Sequence, residues 1–99
     1  MKDISAILDT GFTGDIQIDP VIASELGLRP DDIMEVTIAG ENRISFPIAT
    51  AIAVMELSGQ KMDVLIGAGL PLVGIGFLTK FGYTAIVDCK HKKVLLRKA

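Results

Sequence analysis

The residues that could do chemistry come early in the chain, where Asp9-Thr10-Gly11 follows the apolar residues Ala6-Ile7-Leu8. A short apolar strand here would deliver one carboxylate onto a tight turn, because Gly11 permits backbone angles that other residues disfavour. A carboxylate held in this way suits acid–base chemistry when a second carboxylate shares one proton with it. The triplet occurs once in the sequence. If the second carboxylate belongs to the same kind of triplet, it must come from another copy of the chain.

The composition indicates one small domain with an aliphatic core. The 99 residues are 49 % hydrophobic, with four Phe, one Tyr and no Trp. We predict a single domain over residues 1–99. A chain of this size buries only about two thirds of the surface that its unfolded form exposes. An interface with a second copy would therefore add to its stability.

Charge is distributed unevenly along the chain, although the net charge is only −2. Residues 1–35 hold eight of the twelve acidic residues, whereas residues 90–98 hold five of the ten basic ones. A basic segment can bind nucleic acid or an anionic membrane. This one lacks the interleaved aromatic residues that stack on bases. We predict a solvated hairpin that binds neither nucleic acid nor membrane.

The sequence does not require an oxidising compartment or a membrane. Cys89 is the one cysteine and cannot form an internal disulfide. The chain begins without an apolar signal segment. Its longest uncharged run, residues 64–79, is interrupted by glycines and a proline and is shorter than the roughly 20 residues of a spanning helix. We expect buried core over residues 64–79 and a cytoplasmic protein.

Short stretches rich in isoleucine and valine, separated by glycine and proline, predict a mainly β domain. A first strand over residues 4–8 would end at Asp9. Further strands are predicted over residues 16–19, 34–38, 44–48, 48–57, 62–66, 83–87 and 94–96. Hairpin tips or turns are predicted at residues 29–32, 39–42, 58–60 and 88–91.

Two short helices are predicted between these strands. Asp19 as N-cap and Pro20 at the first helical position begin the first helix, which Gly27 ends. Its predicted apolar face carries Val21, Ile22 and Leu26. The second helix covers residues 75–81 and ends at Gly82.

An ordered series of motifs runs through nearly the whole chain. Asp9-Thr10-Gly11 continues as Phe12-Thr13-Gly14, the first helix ends in Leu26-Gly27-Leu28, and a hairpin follows. Leu72-Val73-Gly74 then precedes Phe77-Leu78-Thr79-Lys80-Phe81 and two closing strands. This series resembles the retropepsin-like aspartic proteases, in particular their small prokaryotic members.

The resemblance implies a fold, an assembly and an activity. The fold would be all-β with one or two short helices, a retropepsin-like closed barrel with one lobe per chain. The protein would be a homodimer that hydrolyses peptide bonds through a water activated by Asp9 and the same residue of its partner. An extended peptide or protein would be the substrate, and no metal or other cofactor would be needed.

The resemblance also assigns roles to further residues, and it implies that Leu72-Val73-Gly74 packs beneath the turn that carries Asp9. Thr10 would brace the two turns across the dimer axis, and Gly11 would line the substrate channel. The hairpin tip at residues 39–42 would act as a flap over the substrate. The residues expected to contact substrate are Phe12, Ala39, Gly40, Glu41, Leu72, Val73 and Gly74.

Two features depart from the pattern of these proteases. Only eight residues precede Asp9, where the relatives usually have a longer segment that contributes to dimer contacts. The second helix lacks a polar residue near its start that many relatives have, and Gly76 stands there instead.

Alternative functions remain open at the level of sequence. The same fold could serve as a catalytically silent dimerisation or peptide-binding module. The pairs Gly67-x-Gly69 and Gly74-x-Gly76 lack the further residues of a phosphate-binding loop. Neither His91 nor Cys89 has partners at the spacing of metal ligands. We therefore predict no nucleotide or metal site.

Overall fold

The computed structural model describes residues 4–37, 40 and 42–98. The chain folds into a mainly β structure with two short helices. In chain order the elements are β1 (Ile7–Leu8), β2 (Ile16–Ile18), α1 (Pro20–Glu25), β3 (Asp32–Thr37), β4 (Arg43–Met55), β5 (Ser58–Ile66), β6 (Leu72–Val73), α2 (Ile75–Phe81), β7 (Tyr83–Asp88) and β8 (Lys93–Lys98).

Six of the strands form one mixed sheet in the order β1-β6-β2-β5-β4-β3. The late strand β6 lies between the first two strands, parallel to β1 and antiparallel to β2. The long strand β4 pairs with β3 through its first half and with β5 through its second half. In the described part of the chain no ladder joins β1 to β3. Closure into a barrel therefore stays a prediction.

The last two strands form a separate antiparallel hairpin in which Tyr83 pairs with Lys98 and Asp88 with Lys93. Tyr83 and Ala85 of this hairpin pack against the same core cluster as α2. Apolar side chains remain exposed on it, among them Val94 and Leu95. The predicted closing hairpin is confirmed, with each strand slightly longer than expected.

Two apolar clusters fill the interior. The first is formed by buried residues of α1 and the central strands, Ile18, Ala23, Ala49, Val64 and Ile66. The second joins β5 to α2 through Met62, Phe77, Leu78 and Phe81, with Leu8 and Val73 packed against it. Leu8 immediately precedes Asp9. The second cluster therefore connects the strand that carries Asp9 to α2.

Helix α1 begins as the sequence predicts, because the Asp19 carboxylate accepts a hydrogen bond from the N–H of Ile22 at 2.8 Å and Pro20 follows the cap. The predicted apolar face is wrong at one position. Val21 is 66 % exposed, whereas Ala23 is buried in the first cluster. A helix of six residues buries only a narrow stripe, and the small side chain fits where the helix lies closest to the sheet.

The predicted turn at residues 58–60 is also wrong. The chain reverses at Glu56 and Leu57, both with positive φ, and Ser58 already pairs with Met55. This register places small residues opposite large buried ones, with Ala51 across from Met62 and Ala49 across from Val64. Burial of Met62 and Val64 decided the register over the turn preference of residues 58–60.

Two smaller expectations are corrected as well. The first strand is shorter than predicted and covers only Ile7–Leu8. The uncharged run of residues 64–79 is not buried throughout, since residues 68–70 are exposed. None of the helices formed by the described residues is long and apolar enough to cross a membrane.

Candidate functional site

Asp9 lies directly after β1, and hydrogen bonds hold it on both sides. Its N–H donates to the carbonyl of Val73 at 2.9 Å, and its own carbonyl accepts from the N–H of Phe12 at 3.0 Å. One carboxylate oxygen, Oδ1, accepts from the N–H of Gly11 at 2.9 Å. The side chain is half-buried. This arrangement keeps the carboxylate aimed in one direction and still accessible.

The start of α2 supports the turn from below. The N–H groups of the consecutive residues Gly74, Ile75 and Gly76 donate to carbonyls of Asp15, Phe12 and Gly14 at 2.9–3.0 Å. A side chain at Gly74 would not fit, because a Cβ there would lie 2.4 Å from the carbonyl oxygens of both Phe12 and Gly14. The segment Leu72-Val73-Gly74 therefore packs beneath the turn, as the resemblance implies.

Sequence reasoning missed an ion pair below this turn, in which a buried carboxylate binds a partly exposed lysine. Asp15 is only 7 % exposed, and its Oδ2 accepts from the N–H of Asp63 at 2.9 Å and from Nζ of Lys80. The hydrogen bond from Lys80 to Asp15 raises the pKa of the lysine above its ordinary value. Loss of hydration lowers the same pKa, but by less. Asp15 and Lys80 are 65 positions apart. No local pattern could have paired them.

The missing side chain at the start of α2 now has a structural explanation. A Cβ at Gly76 would lie 2.2 Å from Oδ1 of Asp15 and 3.0 Å from the carbonyl of Gly14. The buried carboxylate thus occupies the space that a side chain at Gly76 would need. The sequence marked Gly76 only as a departure from the pattern of the relatives, and nothing in it linked this position to Asp15.

Most of the remaining predicted site residues lie at or beneath the turn. Thr10 is exposed beside Asp9, whereas Leu72 and Val73 are half-buried and Gly74 is buried. The ring of Phe12 packs on the backbone of Gly14 and Gly74, since a Cβ at either glycine would lie 2.6–2.7 Å from a ring atom. Direct contact of these residues with a substrate stays a prediction.

The predicted flap corresponds to the hairpin of β3 and β4. Of its tip, Gly40 is described and has φ +89°, while Ala39 and Glu41 lie outside the described residues. The described side chains of β3 are exposed, including Ile33 at 66 %. Near the base of the hairpin the ring of Phe46 packs against Gly67. The described side chains of the hairpin are thus exposed along β3 and partly packed at Phe46.

Apolar side chains next to the turn remain uncovered. Ile7, two residues before Asp9, is 49 % exposed, and Ile75, the first residue of α2, is 40 % exposed. A single chain leaves this apolar surface in contact with water, which is unfavourable. A second subunit or a bound peptide could cover it.

The turn between β7 and β8 holds the remaining candidate groups. Nδ1 of His91 lies 2.8 Å from Oδ2 of Asp88, and this hydrogen bond lowers the pKa of the aspartate. His91 and Cys89 are both exposed. Among the described residues no group of three or more His, Cys, Asp or Glu side chains is arranged to hold a metal ion.

Comparison with solved structures places this geometry in a known fold. The chain is similar to a crystal structure of a retropepsin-like aspartic protease from Rickettsia conorii, with a TM-score of 0.60 and 22 % sequence identity. The alignment covers 92 % of this chain and 70 % of the other. No protein-family model matches the sequence, and a comparison with curated proteins gives no match. The chain therefore has a retropepsin-like fold.

Proposed function

We propose that the protein is a homodimeric aspartic endopeptidase whose active site is shared between two chains. The observation that carries the proposal is the placement of Asp9. Its carboxylate is half-buried, fixed by the N–H of Gly11 at 2.9 Å, and carried on a turn that α2 supports from below. The retropepsin-like fold supports this assignment, because the solved structure to which the chain is similar is that of an aspartic protease.

In the part of the chain that the structure describes, the Asp9 carboxylate accepts a hydrogen bond from the N–H of Gly11 and makes none with a second carboxylate. Asp15, six residues after Asp9, is buried and engaged by Lys80 and by the N–H of Asp63. Asp-Thr-Gly itself occurs once. A two-fold axis beside the turn would supply Asp9 of a second copy, since an isologous interface brings the same patch of both subunits together.

The proposed chemistry follows from two carboxylates that lie close together. Two such groups about 3 Å apart cannot both ionise at low cost, so the pair holds one proton near neutral or mildly acidic pH. The ionised carboxylate takes a proton from a water as that water attacks the scissile carbonyl. The protonated carboxylate donates to the carbonyl oxygen, and the pair then protonates the departing amine.

Other residues would bind and enclose the substrate. Thr10 would brace the two turns across the axis, and Gly11 would line the channel. The exposed hairpin of β3 and β4 would close over the peptide as a flap and exclude water. Exposed apolar side chains beside the turn, Ile7 and Ile75, favour an extended peptide with apolar side chains near the cleaved bond.

The test compares two identical chemical changes at different places. Asp9→Asn removes the carboxylate of the turn, whereas Asp31→Asn makes the same change at an exposed residue near the start of β3. We expect the protein and its Asp31→Asn variant to cleave a mixed peptide library at mildly acidic pH, with inhibition by pepstatin. Asp9→Asn should form a folded dimer without activity.

The opposite results are equally clear. A folded wild-type dimer that cleaves no peptide across acidic and neutral pH would contradict the proposal and favour a silent peptide-binding or dimerisation module. Cleavage that survives Asp9→Asn would assign the activity to other residues.

A further inference from the structure

We propose that Asp15 and Lys80 act as a positioning pair, which locks the turn carrying Asp9 onto α2 and so sets the separation of the two catalytic carboxylates. This inference rests on the proposed function. The side-chain contacts that the structure gives for Asp15 are with Lys80, Asp63 and Gly76 and not with Asp9, and the inference gives this ion pair a role in catalysis that goes beyond stabilising the fold.

Asp15 connects the turn to both ends of α2. Asp15 ends the segment that begins at Asp9, and its carbonyl accepts the N–H of Gly74 at 3.0 Å. Its side chain binds Lys80, in the last turn of α2. The same residue is thus attached to the residue that caps the start of α2 and to a side chain near its end. A shift of α2 relative to the turn would break one of these contacts.

The Asp15 carboxylate has little space to move. Oδ1 of Asp15 lies against Gly76, where even a Cβ would be 2.2 Å away, while Oδ2 is held by Lys80 and by the N–H of Asp63 in β5. One carboxylate therefore contacts the turn's own segment, α2 and the central sheet. The turn's segment, α2 and β5 meet at this carboxylate, which holds the turn at a fixed position relative to the sheet.

Lys80 supplies the positive charge that balances the buried Asp15 carboxylate. The carboxylates that act on Lys80 are those of Asp15 and Asp63, and both favour the charged lysine. Its pKa therefore lies above the ordinary value, so the ammonium stays charged at neutral and acidic pH. Without Lys80 the buried carboxylate of Asp15 would lose its counter-charge and would tend to move towards water.

A small displacement of this turn would affect catalysis in two ways, through the reaction rate and through the apparent pKa values of the carboxylate pair. A misplacement of about 1 Å can reduce a rate by about a hundredfold. Moreover, the two apparent pKa values of a carboxylate pair separate more widely the closer the two groups lie. Moving the two turns apart therefore lowers kcat and also brings the acidic and alkaline limits of the pH profile closer together.

The experiment uses the full chain as a dimer and four variants. Lys80→Met removes the ammonium, and Lys80→Arg keeps the charge. The double variant Asp15→Asn with Lys80→Met removes both charges, so it remains informative if Lys80→Met alone fails to fold. Lys61→Met is the matched control, since Lys61 is an exposed residue of β5.

We measure kcat, KM and the pH profile for each folded dimer. Lys80→Met and the double variant should lower kcat by about ten- to a hundredfold with little change in KM, and should narrow the pH profile. Lys80→Arg should restore most of kcat, and Lys61→Met should match the wild type. A merely structural role would reduce the melting temperature without changing kcat or the pH limits of the folded protein, and that result would overturn the proposal.

A second readout does not need activity and separates this proposal from the proposed function. Amide hydrogen exchange at Ile75 and Gly76, which donate to the turn, should become at least about tenfold faster in Lys80→Met, while exchange at Met62 stays unchanged. Unchanged exchange at Ile75 and Gly76 would overturn the positioning pair even in an inactive protein. A wild type without activity, but with faster exchange in the variant, would contradict the proposed function alone.

Discussion

The turn that carries Asp9 and the hairpin of β3 and β4 are built in opposite ways. Backbone hydrogen bonds from the start of α2, a glycine without space for a methyl group and an ion pair with a buried carboxylate hold the turn. Most of the hairpin's described side chains are exposed, and the ion pair between Glu35 and Arg43, at 3.7 Å, joins side chains that are 62 % and 75 % exposed.

The difference corresponds to the two tasks that the proposed function assigns to them. A carboxylate that shares a proton with its partner needs a fixed position, which buried contacts provide. A segment that admits and releases a peptide must open at low cost, and regions with few buried contacts open most easily. Among the described residues, the contacts of the buried Asp15 carboxylate therefore lie beneath Asp9 rather than along the hairpin.

The largest effect is expected where the turn meets α2. Gly74→Ala should destabilise the protein by at least about 3 kcal/mol, because the new methyl group would lie 2.4 Å from two backbone carbonyl oxygens. The backbone of Gly74 is extended, so the cost is steric. Chemical denaturation measures it, with Gly59→Ala as the control, since a Cβ there meets only Ile52 at 3.4 Å. Equal stability of the two variants would contradict the close packing.

A second pair of variants compares the two regions through methionine. Met62 is fully buried below α2, whereas Met34 of β3 is 41 % exposed. We expect Met62→Ala to cost about 2–5 kcal/mol, because it leaves a cavity, and Met34→Ala to cost less than about 0.5 kcal/mol. Thermal and chemical unfolding check both values. A large loss in Met34→Ala would show that the hairpin packs more tightly than the structure indicates.

The smallest difference concerns the two ion pairs. Lys80→Met should cost about 1–3 kcal/mol, since it leaves the buried carboxylate of Asp15 with one hydrogen bond fewer. Arg43→Met should cost less than about 1 kcal/mol, because both side chains of the pair, Arg43 and Glu35, are exposed. Denaturant unfolding of both variants measures the contrast, and equal losses would contradict it.

The pH dependence of Lys80 sharpens this comparison. Its pKa is raised in the folded state, so its stabilising contribution is complete below the ordinary lysine value of about 10.4. The contribution is lost as the pH rises through the folded value. Wild type and Lys80→Met should therefore differ by a constant amount near neutral pH and converge in strongly alkaline solution. A difference that persists there would exclude the lysine charge as its cause.

Local features of the chain could be predicted from sequence because their causes are local. Asp19 and Pro20 begin α1, Gly82 with φ +70° ends α2, and the turn after Leu8 presents Asp9. Each depends on residues a few positions apart, whose preferences for caps and turns are known. The packing of Leu72-Val73-Gly74 beneath the turn was expected only from the resemblance, since nothing local indicates it.

The features that sequence reasoning missed depend on distant contacts. The turn at Glu56 and Leu57 follows from the register that buries Met62. That register places residues 58–60 in a strand, although their types favour a turn. The pairing of Asp15 with Lys80 spans 65 positions. Such contacts become visible only when the sheet and α2 are assembled.

The central claim is that each chain supplies half of one active site. The direct test refolds wild-type chains together with Asp9→Asn chains in known proportions and measures peptide cleavage. If both Asp9 carboxylates are needed, an equal mixture should show about a quarter of the activity of wild type at the same total protein concentration. The reason is that random pairing leaves about a quarter of the dimers with two wild-type chains. Activity of about a half, in proportion to the wild-type chains, would mean that each chain acts alone and would contradict the account.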